Sequence, residues 1–405
     1  MKLLILGHTI PEPSTTAAGS RMLQLISIFQ EEGYKIHFAT SALMNPRSID
    51  LSSIDFTLDV IRLNDPSFDT YIKDLNPDVV MYDRFVIEEH YGWRVAEHCP
   101  NALRILDTED LHFLRKAREA AFKKEGHLSN VNLYTDQAKR ELASIMRCDL
   151  SLIISSYEMK LLTDTFNVSK SQLFYIPFLV DDIPEVSDLN PFDSRSDFMS
   201  IGNLFHAPNV DSVLYLKKNI WPEIRRQLPS ATLSVYGNYA PQQINELHNV
   251  KEGFLIKGWA PSVKEVMSSS RVCLAPLRFG AGLKGKLLDA MIYGTPAVTT
   301  SIGAEGMYGT EESIFCKEEV SDFVAYAVHL HSEETTWSRS QSMGNKILKE
   351  RYSRNQFASK FKTVLKSLHL SLDQHRKQNF VSQILQHQTM QATKFMSKWI
   401  EEKNK

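Results

Sequence analysis

The 405-residue chain predicts an α/β protein of two doubly wound domains, each a parallel sheet covered by helices on both faces. Three observations predict it. The length exceeds one ordinary core and suits two α/β domains. Short apolar runs alternate with helical patterns along most of the chain, the order that gives parallel sheets buried on both sides. The alternation breaks once, at DDIPEVSDLNPFDSRSD over 181–197, where acids, serines and prolines read as an inter-domain linker. The expected organisation is a first domain over 1–180, the linker over 181–197, a second domain over 198–365 and a helical tail over 366–405.

In the first domain the stretches 3–6, 34–39, 78–82, 102–106 and 150–154 read as strands. The stretch 19–32 reads as a helix with Met22, Leu23, Leu25, Ile26 and Phe29 on one side. A long helical region covers 111–147, and a helix with a serine cap covers 156–166. In the second domain strands are expected at 199–201, 232–236, 254–257, 272–276 and 297–300. Helices are expected at 208–221, stopped by Pro222, and at 261–268 and 285–293, with more from Val320 onward. The tail carries Phe380, Ile384, Leu385, Phe395, Met396, Trp399 and Ile400 at helical spacing. It reads as a helix packed on the body. The alternative is a helix docking on a membrane or partner, but its mixed charges lack the strongly basic face of a membrane-surface helix.

Composition narrows the class. With 43% hydrophobic and 23% charged residues the chain is of the globular type. A formal net charge of -2 argues against a nucleic-acid protein held by bulk electrostatics. Cys99, Cys148, Cys273 and Cys316 are far apart and form no CxxC pair, as expected of a reducing compartment. The apolar run near the N-terminus is too short for a signal core and reads as a buried strand. No stretch has the length of a membrane span. The expected location is cytoplasmic, with peripheral membrane contact left open.

Chemistry concentrates in 278–306, RFGAGLKGKLLDAMIYGTPAVTTSIGAEG. A glycine turn with two lysines runs into an amphipathic helix, and a second glycine turn follows a short β-branched strand. Free backbone N–H groups at a helix start suit an anion. Lysines at a helix N-terminus oppose its dipole unless an anion is there. Lys284, Lys286 and Gly282 are therefore candidates for a phosphate site.

This block, together with Ser301-Ile-Gly-Ala-Glu-Gly and Ile201-Gly-Asn-Leu-Phe-His-Ala-Pro-Asn-Val-Asp, resembles the donor domain of the GT-B glycosyltransferases, most closely the family 4 or "group 1" enzymes. Ala18-Gly-Ser-Arg at a helix start resembles that family's first glycine loop. The resemblance implies two Rossmann-like domains facing a cleft, with C-terminal helices. It implies that Asp289 stands where the family's second acidic residue holds the ribose of a nucleotide sugar. The first acidic residue falls on Ala281 and is missing. The family's basic pair falls near Asn203 and Pro208 and is missing too, leaving Lys284 and Lys286 as substitutes. Gly19, Asn203, His206, Gly303 and Glu305 become candidates for contact with the donor.

On the first domain, Leu106-Asp-Thr-Glu-Asp-Leu-His112 follows a strand end, where ligands gather in open α/β sheets. Asp110 and His112 are candidate catalytic groups beside Asp107; the rival reading is a capped helix start with ion pairs to Arg115 and Arg118. Arg84 after another strand is a candidate for an anionic acceptor, and His8 for the sugar.

The function so implied is a retaining, metal-independent hexosyltransferase. Its donor is a nucleotide diphosphate sugar, bound as substrate with no cofactor. Its acceptor is a glycan, lipid or small molecule bearing a hydroxyl. The alternatives are a nucleotide-sugar-binding protein without transferase activity and a nucleotide-sugar epimerase. Sugar, base, acceptor and oligomeric state are not legible in the residues.

Overall fold

The computed structural model describes residues 1–44, 48 and 55–404. The first domain contains β1 (Lys2–Gly7), α1 (Ala17–Glu31), β2 (Lys35–Thr40), β3 (Thr57–Val60), α2 (Ser67–Leu75), β4 (Val79–Asp83), α3 (Phe85–His98), β5 (Leu103–Asp107), α4 (His112–Glu125), α5 (Asp136–Arg147), β6 (Leu150–Ile153), α6 (Ser156–Lys160) and β7 (Leu173–Tyr175). The second contains β8 (Ser196–Ile201), α7 (Ala207–Tyr215), α8 (Trp221–Gln227), β9 (Leu233–Tyr236), α9 (Gln242–Asn245), β10 (Phe254–Gly258), α10 (Val263–Ser269), β11 (Ser270–Ala275), α11 (Gly285–Ile292), β12 (Ala297–Thr299), α12 (Ser301–Ala304), α13 (Glu312–Phe315), α14 (Val320–Ser332) and α15 (Glu334–Arg351). Three helices close the chain: α16 (Arg354–Leu370), α17 (Leu372–Gln378) and α18 (Phe380–Lys403).

Both sheets are parallel. Among the described residues the first has seven strands in the order β3-β2-β1-β4-β5-β6-β7, and the second five in the order β10-β9-β8-β11-β12. The strand order reverses between β1 and β4 in one and between β8 and β11 in the other. Crevices for ligands open at such reversals, outside the carboxyl ends of the strands. Strands buried on both faces carry apolar residues at every position, as Leu3, Leu4, Ile5 and Leu6 do.

Several elements depart from expectation for local reasons. The helical region over 111–147 is two helices. Gly126, at φ 78°, ends α4, and Thr135 caps α5 by accepting from the Ala138 N–H at 3.2 Å. The helix over 208–221 does not stop at Pro222. A π-turn at Leu216–Ile220 intervenes, and Pro222 sits in the first turn of α8, where its missing N–H costs nothing. The linker stretch yields earlier than 197, since β8 begins at Ser196.

The C-terminal segment crosses back at residue 354, before the expected end of the second domain at 365. Phe361 and Leu365 of α16 sit in one core with Leu3, Ile5 and Phe29 of the first domain. The two crossings run side by side: Val180 donates to the Tyr352 carbonyl at 2.8 Å and Arg354 to the Val180 carbonyl at 3.1 Å. The tail then packs on the first domain. Arg376 of α17 grips Asp149 through two bonds of 2.8 and 2.7 Å, and α18 packs on α3 and α5. A cavity of about 480 Å³ under this wrap is lined by Arg104, Asp149, His375 and Arg376. Phe361 is fully buried edge-on against Phe29. Phe361→Ala should cost about 3–5 kcal/mol, read as a lowered Tm of the full chain; an unchanged Tm would refute the docking of α16.

All four cysteines are free. Among the described residues no helix is long and apolar enough to cross a membrane.

Candidate active site

The strand-order reversals of the two sheets face each other. On the second domain, β8 leads into the loop of Asn203 and His206, and β11 into the glycine loop and α11. Lys286, in the first turn of α11, donates from Nζ to Asn209 Oδ1 at 2.8 Å. Gly202 lies beside it, since a Cβ there would stand 2.7 Å from that Nζ. Burial lowers the Lys286 pKa to about 8. Asp289, one turn on, has its pKa raised by burial to about 7, and its carboxylate has no hydrogen-bond partner among the described residues. Both charges act on the buried Cys273 thiol of β11, itself pushed by burial up to about 12. Lys286 and Asp289 thus form a half-buried cation and an unsatisfied acceptor on one face of a helix start that has no side-chain cap.

Lys284 does not stand with Lys286. Its Nζ turns back to the Gly282 carbonyl at 2.7 Å, and it is 7% exposed. Burial lowers its pKa against the fields of Glu305, Glu158 and Asp110. Gly282, at φ 64°, needs its glycine twice: a Cβ would meet Asp110 Cβ at 2.7 Å, and the left-handed backbone strains other residues. Its N–H is not free. It donates to Glu158 Oε1 of the first domain at 2.8 Å.

On the first domain, the turns after β4 and β5 hold two non-glycine residues at positive φ, Arg84 at 74° and Glu109 at 62°. Such strain clusters where a surrounding structure holds a site in place. Arg84 lies 3.5 Å from Asp83. Burial opposes its charge, but Asp83, Glu109, Asp110 and Asp107 outweigh burial and raise its pKa. Burial, with Asp107, pushes Glu109 well above the carboxylate range. Asp107 itself serves structure: Arg21 binds it at 3.0 Å and also holds the Ile176 carbonyl at 2.8 Å.

Asp110 accepts from Arg115 at 2.7 Å, with the His112 ring 3.4 Å away. Burial alone would raise the Asp110 pKa, but Arg115 and His112 hold it well below the usual range. Burial lowers His112 to about 4, so the ring is neutral at pH 7. The start of α4 has no cap of its own; Glu141 of α5 accepts from the His112 and Phe113 N–H groups at 2.9 and 2.7 Å.

The halves meet directly. Arg118 of α4 binds both oxygens of Glu305 at 2.8 and 2.7 Å and the Gly280 carbonyl at 2.9 Å. Gly285 abuts the start of α1, since a Cβ there would meet Ala17 Cβ at 2.7 Å. His206 opens α7. Burial lowers its pKa, and it feels Arg115, Asp110 and Arg84 from one side and Lys286 from the other.

The candidate residues therefore divide. Gly282 packs on Asp110 and Glu305 pairs with Arg118 of the first domain, while His206 feels the charges of Arg115, Asp110, Arg84 and Lys286. Asn203 shapes its loop, accepting from Phe205 N–H at 2.9 Å and Asn209 Nδ2 at 2.8 Å. Gly19 packs on the Glu12 backbone, and its N–H is taken by Thr16 Oγ1 at 3.0 Å. Gly303 packs on Thr299, where a Cβ would lie 1.8 Å from Oγ1. Glu158 and Glu141 escaped the sequence reading; only their fold-made contacts mark them.

Two parallel doubly wound sheets that meet in this way define a GT-B fold. Comparison with known proteins agrees: residues 195–333 match the family described as Glycosyl transferases group 1. The match lies within the second domain. A Klebsiella pneumoniae protein described as an uncharacterized 44.6 kDa protein in the cps region is 28% identical over 130 residues, 30% of this chain and 33% of its own length. The match thus spans about a third of that relative. Among solved structures, Thermosynechococcus elongatus sucrose-phosphate synthase superposes with a TM-score of 0.68 at 14% identity over 91% of this chain and 99% of its own. Anabaena HepE, solved with UDP and glucose, gives 0.65 at 12% identity over 91% and 100%. A mutant of S. aureus TarM, solved with UDP, gives 0.57 at 13% identity over 73% of this chain and 57% of its own.

Proposed function

We propose that the chain is a retaining glycosyltransferase that moves a hexose from a nucleoside diphosphate sugar to a hydroxyl acceptor without a metal ion. One observation carries the reading: the helix start bearing Lys286 and Asp289 has no side-chain cap and follows a glycine loop that meets Asp110 across the inter-domain seam, where a Cβ on Gly282 would stand 2.7 Å from Asp110 Cβ. UDP in the TarM and HepE structures supports a nucleotide donor. In this reading Lys286 and the first-turn amides hold the diphosphate, and Asp289 accepts from the ribose hydroxyls. Breaking the sugar–oxygen bond leaves its electron pair on the diphosphate, and fixed cations aimed there lower the barrier. Lys284 adds charge once the loop is filled. The Asp110 carboxylate stabilises positive charge growing on the sugar carbon, and His112 and Arg84 border the acceptor side. Closure through Arg118 and Glu305 excludes water and limits hydrolysis. The expected cytoplasmic location belongs to this reading, since cytoplasm supplies nucleotide sugars.

The test is binding and turnover with a panel of UDP- and GDP-sugars. Transfer or slow donor hydrolysis supports the proposal. Tight binding with neither, across many acceptors, supports a binding protein instead, and an altered sugar released as the nucleotide sugar supports an epimerase.

Affinity for the bare nucleoside diphosphate should be pH dependent. Asp289 accepts best when ionised, so affinity should rise as pH climbs through about 7. Lys286 loses its charge above about 8, so affinity should fall beyond that. Titration calorimetry from pH 6 to 9.5 should show a maximum between the two; a flat profile would refute both assignments.

A further inference from the structure

We infer that the outer face of α18 is a self-association surface that pairs two copies of this chain, antiparallel, about a two-fold axis. The inner face of α18 is committed to the body through Met390, Ser397 and Glu401, all buried. Its outer face presents large apolar side chains to solvent: Phe380 at 61% exposure, Ile384 at 47%, Phe395 at 66% and Trp399 at 60%. Single exposed apolar residues are ordinary, but a stripe of this length marks an interaction site.

The sequence of the stripe selects the occupant. Phe380, Ile384, Gln388, Gln391, Phe395 and Trp399 follow one another at spacings of 4, 4, 3, 4 and 4 residues. That order reads the same from either end, in spacing and in chemistry: two apolar, two amide, two apolar. An isologous contact needs such self-complementarity, because each residue i meets a residue j whose partner is i again. With the axis between Thr389 and Met390, Phe380 faces Trp399, Ile384 faces Phe395, and Gln388 faces Gln391, amide to amide. Spacings of 3 and 4 keep all six residues on one face of the helix.

The area is sufficient. The four apolar stripe residues, with Val381 and Met396 beside them, expose on the order of 800 Å² per copy, the scale of a standard interface. A membrane fits less well. The amides at the centre interrupt the apolar face, and the nearby cations are engaged at home: Lys394 with Glu97 at 2.6 Å, and Lys398 with Asp69 at 3.4 Å and Glu401 at 3.0 Å.

The experiment is sedimentation equilibrium on the full chain at micromolar concentration, with Phe395→Glu and Trp399→Glu beside it. The wild type should sediment as a dimer. Each variant should shift dissociation at least tenfold toward monomer with an unchanged Tm, since both side chains face solvent. In a second measurement, a mixture of Gln388→Cys and Gln391→Cys chains, both also carrying Cys316→Ser, should oxidise mainly to the mixed disulfide; the remaining Cys99, Cys148 and Cys273 are buried. A monomeric wild type overturns the proposal. So does a dimer indifferent to both glutamates, or a monomer that floats with anionic phospholipid vesicles through Trp399.

Discussion

Replacing Lys286 with alanine should lower kcat/KM for transfer by about 10²–10³, the usual cost of losing one fixed donor to a developing negative charge. The substitution removes the half-buried cation at the start of α11 and leaves Asn209 without the donor it now holds at 2.8 Å. The same variant should weaken bare nucleoside diphosphate at least tenfold, because the lost charge is felt before any bond breaks. Comparing the two losses is informative. A fall in kcat/KM with unchanged diphosphate affinity would mean that Lys286 acts elsewhere than on the phosphates.

Arg118→Ala should give the second large effect, and by a different route. Arg118 fixes Glu305 and the Gly280 carbonyl from across the domain boundary. Burial opposes its charge, but Glu305 outweighs burial and raises its pKa. Removing one partner of a buried pair strands the other and typically costs about 3–5 kcal/mol. Glu305 keeps some solvent exposure, at 13%, so the lower end applies, or about a hundredfold in an equilibrium constant. The loss falls on closure rather than on folding, since each domain keeps its own core. The variant should retain most of its nucleoside diphosphate affinity, scatter as a more open particle without ligand, and transfer on the order of a hundredfold more slowly. A closed particle with normal turnover would refute the clasp.

Much of the fold was legible because its signals are local. β1 and β11 are apolar runs of strand length, and the glycine loop into α11 carries its own punctuation. Helices α2 and α3 escaped for a physical reason. α3 buries Phe85, Ile87, Tyr91 and Val95 on several sides because α18 and α5 cover what would otherwise be its solvent face, so no clean apolar stripe remains. Its Glu88 and Arg94 look like surface charges in sequence, yet they are buried and paired with Arg147 and Glu401. The strand β3 is short and edge-placed, with half-buried or exposed positions throughout.

The site divides the same way. Lys286, Asp289 and Gly282 sit within one continuous segment and could be singled out there. The Glu158 carboxylate accepts from Gly282, 124 positions along the chain, and no local pattern encodes that. The strain at Arg84 and Glu109 is likewise invisible in residue types that seldom adopt positive φ. Gly19 and Gly303 show the converse: glycines beside a ligand loop whose close contacts are with their own backbone and side-chain neighbours.

Glu158 sharpens what donor binding must do. Burial, with Asp110, raises its pKa to about 7, and its carboxylate accepts from the Gly282 N–H. The sites at the two strand-order reversals are one site only if a single ligand spans this seam. A crystal structure of the full chain with UDP or GDP, whichever binds more tightly, decides that. The account predicts the diphosphate on the start of α11 within hydrogen-bond reach of Lys286, the ribose hydroxyls on Asp289, and the terminal phosphate turned toward Asp110 and His112. A nucleotide bound away from α11, or bound there with its phosphates pointing away from the first domain, would contradict it.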